Sequence, residues 1–246
     1  MLMDINLFWL AIIVLISYSI QAMSGFGSTI LALTLGVHLY PMAELLPVLV
    51  ALDLLVNLYI ATRHHRHINR PLLYRSIVPC MGVGLLAGIG TFHFFQGAVL
   101  ETIFGFLVCG LASHELHRLF RNDRIRRTLS DLESAGYITA AGFIHGIYAS
   151  GGPLLIYAVG RLDLPKSVFR STLAAVWLLF SIILSVFYLY SGKLTGESLN
   201  RLLIFLPIIC VGIISGEWLH RRINEFHFKI FIFAALLFAG LSIILA

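Results

Sequence analysis

Two short segments hold most of the residues in this chain that could do chemistry: Gln21-Ala-Met-Ser-Gly-Phe-Gly-Ser-Thr-Ile30 and His145-Gly-Ile-Tyr-Ala-Ser-Gly-Gly-Pro-Leu154. Each interrupts a long apolar run with glycine, and a helix restarting there leaves its first N–H groups without intrahelical partners. In the first segment those groups fall near Ser28 to Ile30, after the turn containing Ser24, Gly25 and Gly27. The positive end of the helix dipole adds to their pull on an anion. Ser150, Gly151 and Gly152 make the same opening in the second segment, where Pro153 suits the first helical position because its missing N–H is not needed there. Two such openings facing each other form a neutral cage for a small oxyanion, to which Ser24, Ser28, Thr29 and Ser150 can add hydroxyl donors. The competing reading is that the glycines serve close helix packing, and that is the expectation for Gly82, Gly84, Gly88 and Gly90.

Ionisable residues inside apolar runs are costly and point to function by default. Asp53 lies mid-run with Asn57 four residues on, on the same helical face. Buried there, it can carry a proton alongside an anion, or it can pair with an arginine at a helix end. His145 can donate to an anion in its neutral or charged form, or be a satisfied core histidine. Asp53 and His145 are therefore the proton-coupling candidates. Arg170 offers charge complementarity to an oxyanion, or snorkels to lipid headgroups. Trp177, seven residues further on, can wall an apolar part of a substrate, while Glu101 suits the positive end of its own helix. His64, His65 and His67 stand among arginines without acidic or thiol ligands, so a solvated loop is expected and no metal site. Cys80, Cys109 and Cys210 read as buried, inert thiols. No nucleophile–base pair, P-loop or His-Glu-x-x-His motif occurs, so neither an enzyme nor a cofactor is expected.

The elements that must position these groups are membrane-grade. Of 246 residues, 59% are hydrophobic and 12% charged, with mean hydropathy +0.93; soluble domains carry about 25% charged residues. Apolar runs recur at a length of roughly 20 residues, enough to cross a bilayer core of about 30 Å, without the strict alternation of a β-barrel. The net charge of +5 sits in loops between these runs, which marks orientation in a lipid bilayer and not nucleic acid binding. Asp4 without a basic residue before the first run fits a signal peptide poorly.

The runs are Leu7–Leu39, Met42–Thr62, Pro71–His93 and Gly97–Leu116, and then the series restarts with Ser134–Leu162, Lys166–Tyr190, Leu199–Leu219 and Phe226–Ala246. Pro41 matches Pro165, and Pro79, Gly84 and Gly88 match Pro207, Gly212 and Gly216. The expected organisation is a first transmembrane repeat (1–116), a basic cytoplasmic linker (117–133) and a second repeat (134–246). The loops Arg63–Arg70, Arg118–Arg127 and His220–Asn224 are basic, while Ser191–Ser198 is nearly neutral. Placing all three basic loops in the cytoplasm puts Phe94–Gly97 outside and makes the two repeats inverted. That requires each broken run to be a hairpin of two short helices, about 14 residues per arm at ~1.5 Å rise per residue, and not a single kinked helix. The fold expected is all-α and polytopic: two inverted repeats, each a glycine-broken hairpin plus three transmembrane helices.

The second segment, Gly146-Ile-Tyr-Ala-Ser-Gly-Gly-Pro-Leu-Leu-Ile, with Leu164-Pro and Ser171-Thr-Leu-Ala-Ala after it, resembles the second half of the sulfite exporter TauE/SafE family, also called the toluene sulfonate uptake permease family. The resemblance extends over nearly the whole chain, although the first segment has Ser24-Gly-Phe-Gly-Ser where the family has a glycine triplet and a proline. It implies transport of sulfite, organosulfonates or related organic anions, with no redox cofactor. The function expected is a secondary transporter in the cell inner (plasma) membrane, multi-pass, working by alternating access around a midplane site at the two breaks. Its partners are a small anionic substrate and the lipid bilayer, with homo-oligomerisation left open. The alternatives are an integral-membrane enzyme or assembly factor with a buried polar site, and an anion channel.

Overall fold

Backbone polar groups with no water to bond must pair within their own segment, and for chains this apolar the helix is the local solution. The computed structural model describes residues 5–94, 98–121, 129–162, 164–220 and 225–245, and among them there is no strand. In chain order the helices are α1 (Ile5–Ser24), α2 (Ser28–Gly36), α3 (Met42–Arg63), α4 (Arg70–Leu72), α5 (Val78–Phe94), α6 (Ala98–Arg121), α7 (Asp131–Tyr148), α8 (Gly152–Val159), α9 (Lys166–Tyr190), α10 (Gly196–His220) and α11 (Glu225–Leu245). A π-helical turn, Leu73–Ile77, joins α4 to α5. Ser130 starts α7 with a capping box: its side chain accepts from the Glu133 N–H, and Glu133 accepts from the Ser130 N–H. Among the described residues, five stretches are long and apolar enough to cross a membrane: Ile5–Ser24, Met42–Arg63, Arg70–Thr91, Lys166–Tyr190 and Gly196–Leu219. The loops that set the expected orientation, Phe94–Gly97, Arg118–Arg127 and His220–Asn224, fall in part outside the described residues.

Both broken runs double back. Gly36, at the end of α2, returns to the side chain of Leu10 in α1. On the other side Gly151 lies against Ala141 and His145, and the Tyr157 ring of α8 meets Tyr137 of α7 at 4.7 Å. The arms are unequal, however: 20 and 9 residues in the first hairpin, 18 and 8 in the second. The glycine motif sits where the hairpin turns, and the outgoing arm takes most of the apolar run.

The two halves share a register. α2 and α8 start 124 residues apart (152 − 28), as do α3 and α9 (166 − 42). Pro41 and Pro165 precede α3 and α9 with the same backbone, φ −55° and ψ 141° against φ −54° and ψ 144°. α5 packs on α7, and its counterpart α10 packs on α1; α3 pairs with α9, and α6 with α11. α3 and α9 run antiparallel: Ser181 reaches Asp53, while Thr172, early in α9, accepts from the Asn69 N–H beyond the end of α3.

Small residues set the closest of these contacts. A Cβ at Gly84 or Gly88 would overlap backbone of α7 at Thr139 and Phe143, and one at Gly216 would overlap Ser19 and Ala22 of α1. Gly82 and Gly90 depart from the packing expectation, because nothing among the described residues lies within 4 Å of where a Cβ would stand. The outer faces carry large exposed apolar side chains such as Val83, Leu86, Phe106, Val211 and Ile214, whereas Gln21, Asp53, Asn57, His145 and Ser181 are buried. Polar groups inside and apolar groups outside is the arrangement a lipid solvent demands. Cys210 lies on that outer surface and is exposed, not buried as its apolar run suggests; Cys80 and Cys109 are half-buried, and all three are free.

Replacing Gly88 with Ala should cost about 1–3 kcal/mol through overlap with the Phe143 carbonyl. Gly82→Ala should leave the melting temperature of the detergent-purified protein unchanged or slightly raised. Equal melting curves for the two variants would remove the close approach of α5 to α7.

Candidate functional site

The two turns and the midpoints of α3 and α9 line a partly open cavity of about 30 Å³. The first half lines it with Gln21, Phe26, the start of α2 from Gly27 to Ile30, and Asp53 of α3. The second half supplies His145, Ala149, Ser150, Gly152, Pro153 and Trp177 of α9. The first backbone bond of α2 runs from the Leu31 N–H to Gly27 O, and that of α8 from the Leu155 N–H to Gly151 O. The preceding N–H groups lack intrahelical partners, and no side chain caps either helix.

The two turns use the same device. The Gly25 N–H bonds Gln21 O at 2.7 Å with φ +86°, and 124 residues on the Ala149 N–H bonds His145 O at 2.8 Å with φ +51°. Both terminate a helix in the left-handed region that favours glycine, and alanine there costs about 1 kcal/mol. Trp177 Nε1 then donates to Gly25 O at 3.1 Å, so α9 holds the first turn directly.

Asp53 is 6% exposed and sits at the join between halves. Ser181 Oγ and Asn57 Nδ2 each donate to its Oδ2 at 2.8 Å, and Ser28 Oγ lies 3.2 Å from its Oδ1 while donating to Gln21 Oε1. No arginine or lysine among the described residues pairs with it, so the helix-end arginine partner considered from the sequence is not the arrangement found. His145 is 3% exposed, with its ring 5.3 Å from that of Trp177 and 6.3 Å from that of Phe180. Neither of its ring nitrogens, nor Gln21 Nε2, makes a well-aligned hydrogen bond among the described residues. Buried polar groups left unpaired inside a protein are uncommon and need a reason.

The sequence candidates divide. Gly27, Ser28, Thr29, Asp53, His145, Ser150, Gly152 and Pro153 line the cavity; Ser24, Gly25, Gly151 and Arg170 stand behind it. Ser24 Oγ is spent locally on Ile20 O and Phe26 O, and Ser150 Oγ donates to Tyr148 O. Gly25 and Gly151 are packing positions, pressed on the Arg170 backbone and the Ala141 carbonyl respectively. Arg170 neither snorkels nor faces the cavity: Nη2 donates to Glu217 Oε1 of α10 at 2.6 Å, with His64 Nε2 3.8 Å from the same oxygen. Partial burial, and then the Arg170 charge, hold the His64 ring below its ordinary value against the pull of Glu217. Gln21 and Phe26 are lining residues not singled out in the sequence. The 124-residue spacing of Pro41 and Pro165 is the signal that finds Gln21, since it lands on His145 (145 − 21).

The family model described as Sulfite exporter TauE/SafE matches residues 10–243. No curated protein and no solved structure matches the chain.

Glu217→Gln should destabilise the protein by roughly 1–3 kcal/mol, less than the loss of a fully buried pair because a quarter of the Glu217 side chain is exposed. The double change Arg170→Met with Glu217→Met should melt above Glu217→Gln, since it leaves no unpaired charge. Ala149→Gly should raise stability by about 1 kcal/mol by relieving the left-handed alanine, and a lower melting temperature would contradict that geometry.

Proposed function

The chain belongs to the sulfite exporter TauE/SafE family, a family of membrane transporters, and on that premise we propose that it is a secondary transporter of sulfite, organosulfonates or related small organic anions across the cell inner membrane. The observation that carries this reading is the convergence of two uncapped helix starts, one from each half, on one cavity with unpaired donors in its wall. The anion is held by the N–H groups of residues 28–30 and of the α8 start, with Thr29 and His145 adding side-chain donors; the Ser28 and Ser150 hydroxyls join them only by giving up Gln21 Oε1 and Tyr148 O. Gly27, Gly152 and Pro153 shape the openings, and Ser24, Gly25, Gly151 and Arg170 hold them from behind.

The transport cycle is alternating access between two inverted repeats, 1–116 and 134–246, joined by the linker 117–133. The shared 124-residue register and the antiparallel crossing of α3 and α9 support that relation. Coupling to protons runs through Asp53 and His145. A buried carboxylate with no countercharge beside an arriving anion is strongly disfavoured, so Asp53 takes a proton as the anion binds and releases it as the anion leaves.

Purified protein in liposomes should exchange labelled sulfite for unlabelled sulfite or a sulfonate. An imposed pH difference should drive accumulation on the alkaline side, where protons travelling with the anion are drawn. Asp53→Asn should abolish that accumulation while leaving downhill exchange. Failure to move sulfite, any sulfonate or any carboxylate would end the transporter reading, and pH-driven accumulation by the Asp53→Asn variant equal to wild type would end the role of Asp53.

A further inference from the structure

The walls of the cavity contain donors but, among the described residues, no lysine or arginine; the ionisable side chains lining it are Asp53 and His145. Arg170, the nearest candidate cation in the sequence, is tied to Glu217. Within this wall, two side chains stand in equivalent places, 124 residues apart, one from each half: Gln21 on α1 and His145 on α7. Gln21 is 1% exposed and His145 3%. Gln21 Oε1 is engaged by Ser28, so its Nε2 hydrogens are what it has left to give; among the described residues they make no well-aligned hydrogen bond, and the acceptor beside them is the Asp53 carboxyl. His145 carries an N–H in either tautomer, with no partner among the described residues.

Resting on the transporter reading above, we propose that Gln21 and His145 form a matched pair of donors, one per half, that grips a single oxyanion from two sides, and that the site selects monoanions over dianions. The charge rule follows from the solvation balance. The penalty for taking an ion out of water rises with the square of its charge, so a dianion loses about four times what a monoanion of the same size loses. Neutral N–H and O–H donors offset the first charge; the wall holds no lysine or arginine to offset a second, and His145 supplies a cation only while it carries an extra proton. The Asp53 carboxyl adds repulsion whenever it is ionised. Sulfonates fit as they stand, and sulfite enters as hydrogensulfite.

The test is counterflow of labelled methanesulfonate by the full-length protein in liposomes, with unlabelled methanesulfonate or sulfate as competitor. The two share a sulfur–oxygen head and differ in charge at every working pH. Sulfate should compete at least about tenfold more weakly than methanesulfonate. Gln21→Met and His145→Phe should each raise the apparent KM for methanesulfonate by about tenfold or more, the loss expected for a hydrogen bond to an anion, without lowering the melting temperature. Gln21→Glu keeps an acceptor for Ser28 but replaces the amide donor with a carboxyl that repels an anion, so it should weaken methanesulfonate more than Gln21→Met does.

Equal competition by sulfate would overturn the charge rule. Wild-type KM in both Gln21 variants would overturn the donor pair while leaving the transporter reading intact. Absence of methanesulfonate, sulfite and carboxylate exchange in the wild type would sink that reading itself.

Discussion

Inside a bilayer a peptide group has nothing but protein to bond with, and the helix satisfies it everywhere except at its ends. A helix that ends at a membrane face has water and headgroups to complete it. α2 and α8 instead begin in the interior, at the same depth as Asp53 and Trp177 near the midpoints of α3 and α9. Ending a helix there is tolerated only if the freed groups are enclosed by protein or face a cavity, and the rest of the fold is arranged around that requirement. α3 and α9 cross over the two turns, and α10 and α5 clamp the outgoing arms through glycine contacts that leave no room for a side chain.

The electrostatics follow the same division. Charges that need partners have them at the rim: Arg170 with Glu217, and Arg201 with both Glu44 and Glu197. The centre keeps one carboxyl without a cation and surrounds it with hydroxyls and an amide from both halves. Unpaired donors in a buried lining are costly, and under the transport function proposed above an anion is the guest that would complete them. The lining also holds the halves together, since Ser181 to Asp53 and Trp177 to Gly25 are both bonds across the join.

Much of this is legible in the sequence because membrane helices are constrained so tightly. Pro41 and Pro165 mark the starts of α3 and α9, and the glycine stretches at 25–27 and 151–152 mark the turns, although α7 itself ends on a left-handed alanine, Ala149. The arm lengths are not legible: apolar runs report that a segment stays in lipid, not where within it the chain reverses. Arg170 differs from its sequence expectation for another reason. Its partner Glu217 lies 47 residues away on a helix whose rotation the sequence leaves open, so a buried ion pair looks like a free cation. Gln21 gives no signal of its own, because a lone amide in an apolar run carries no periodicity; only its alignment with His145 gives it meaning.

That alignment bears on how such a chain can diversify. The same station on the two walls is filled by an amide on one side and an imidazole on the other, and the left-handed turn by glycine in one half and alanine in the other. A duplicated framework lets each copy of a position drift by itself, while the crossings of α3 with α9 and of α5 and α10 with their partners preserve the shape. Under the transport function proposed above, selectivity can then be retuned one wall at a time, and a guest with a charged head and an apolar tail is the kind of cargo that two unlike walls in a near-symmetric frame are suited to tell end from end.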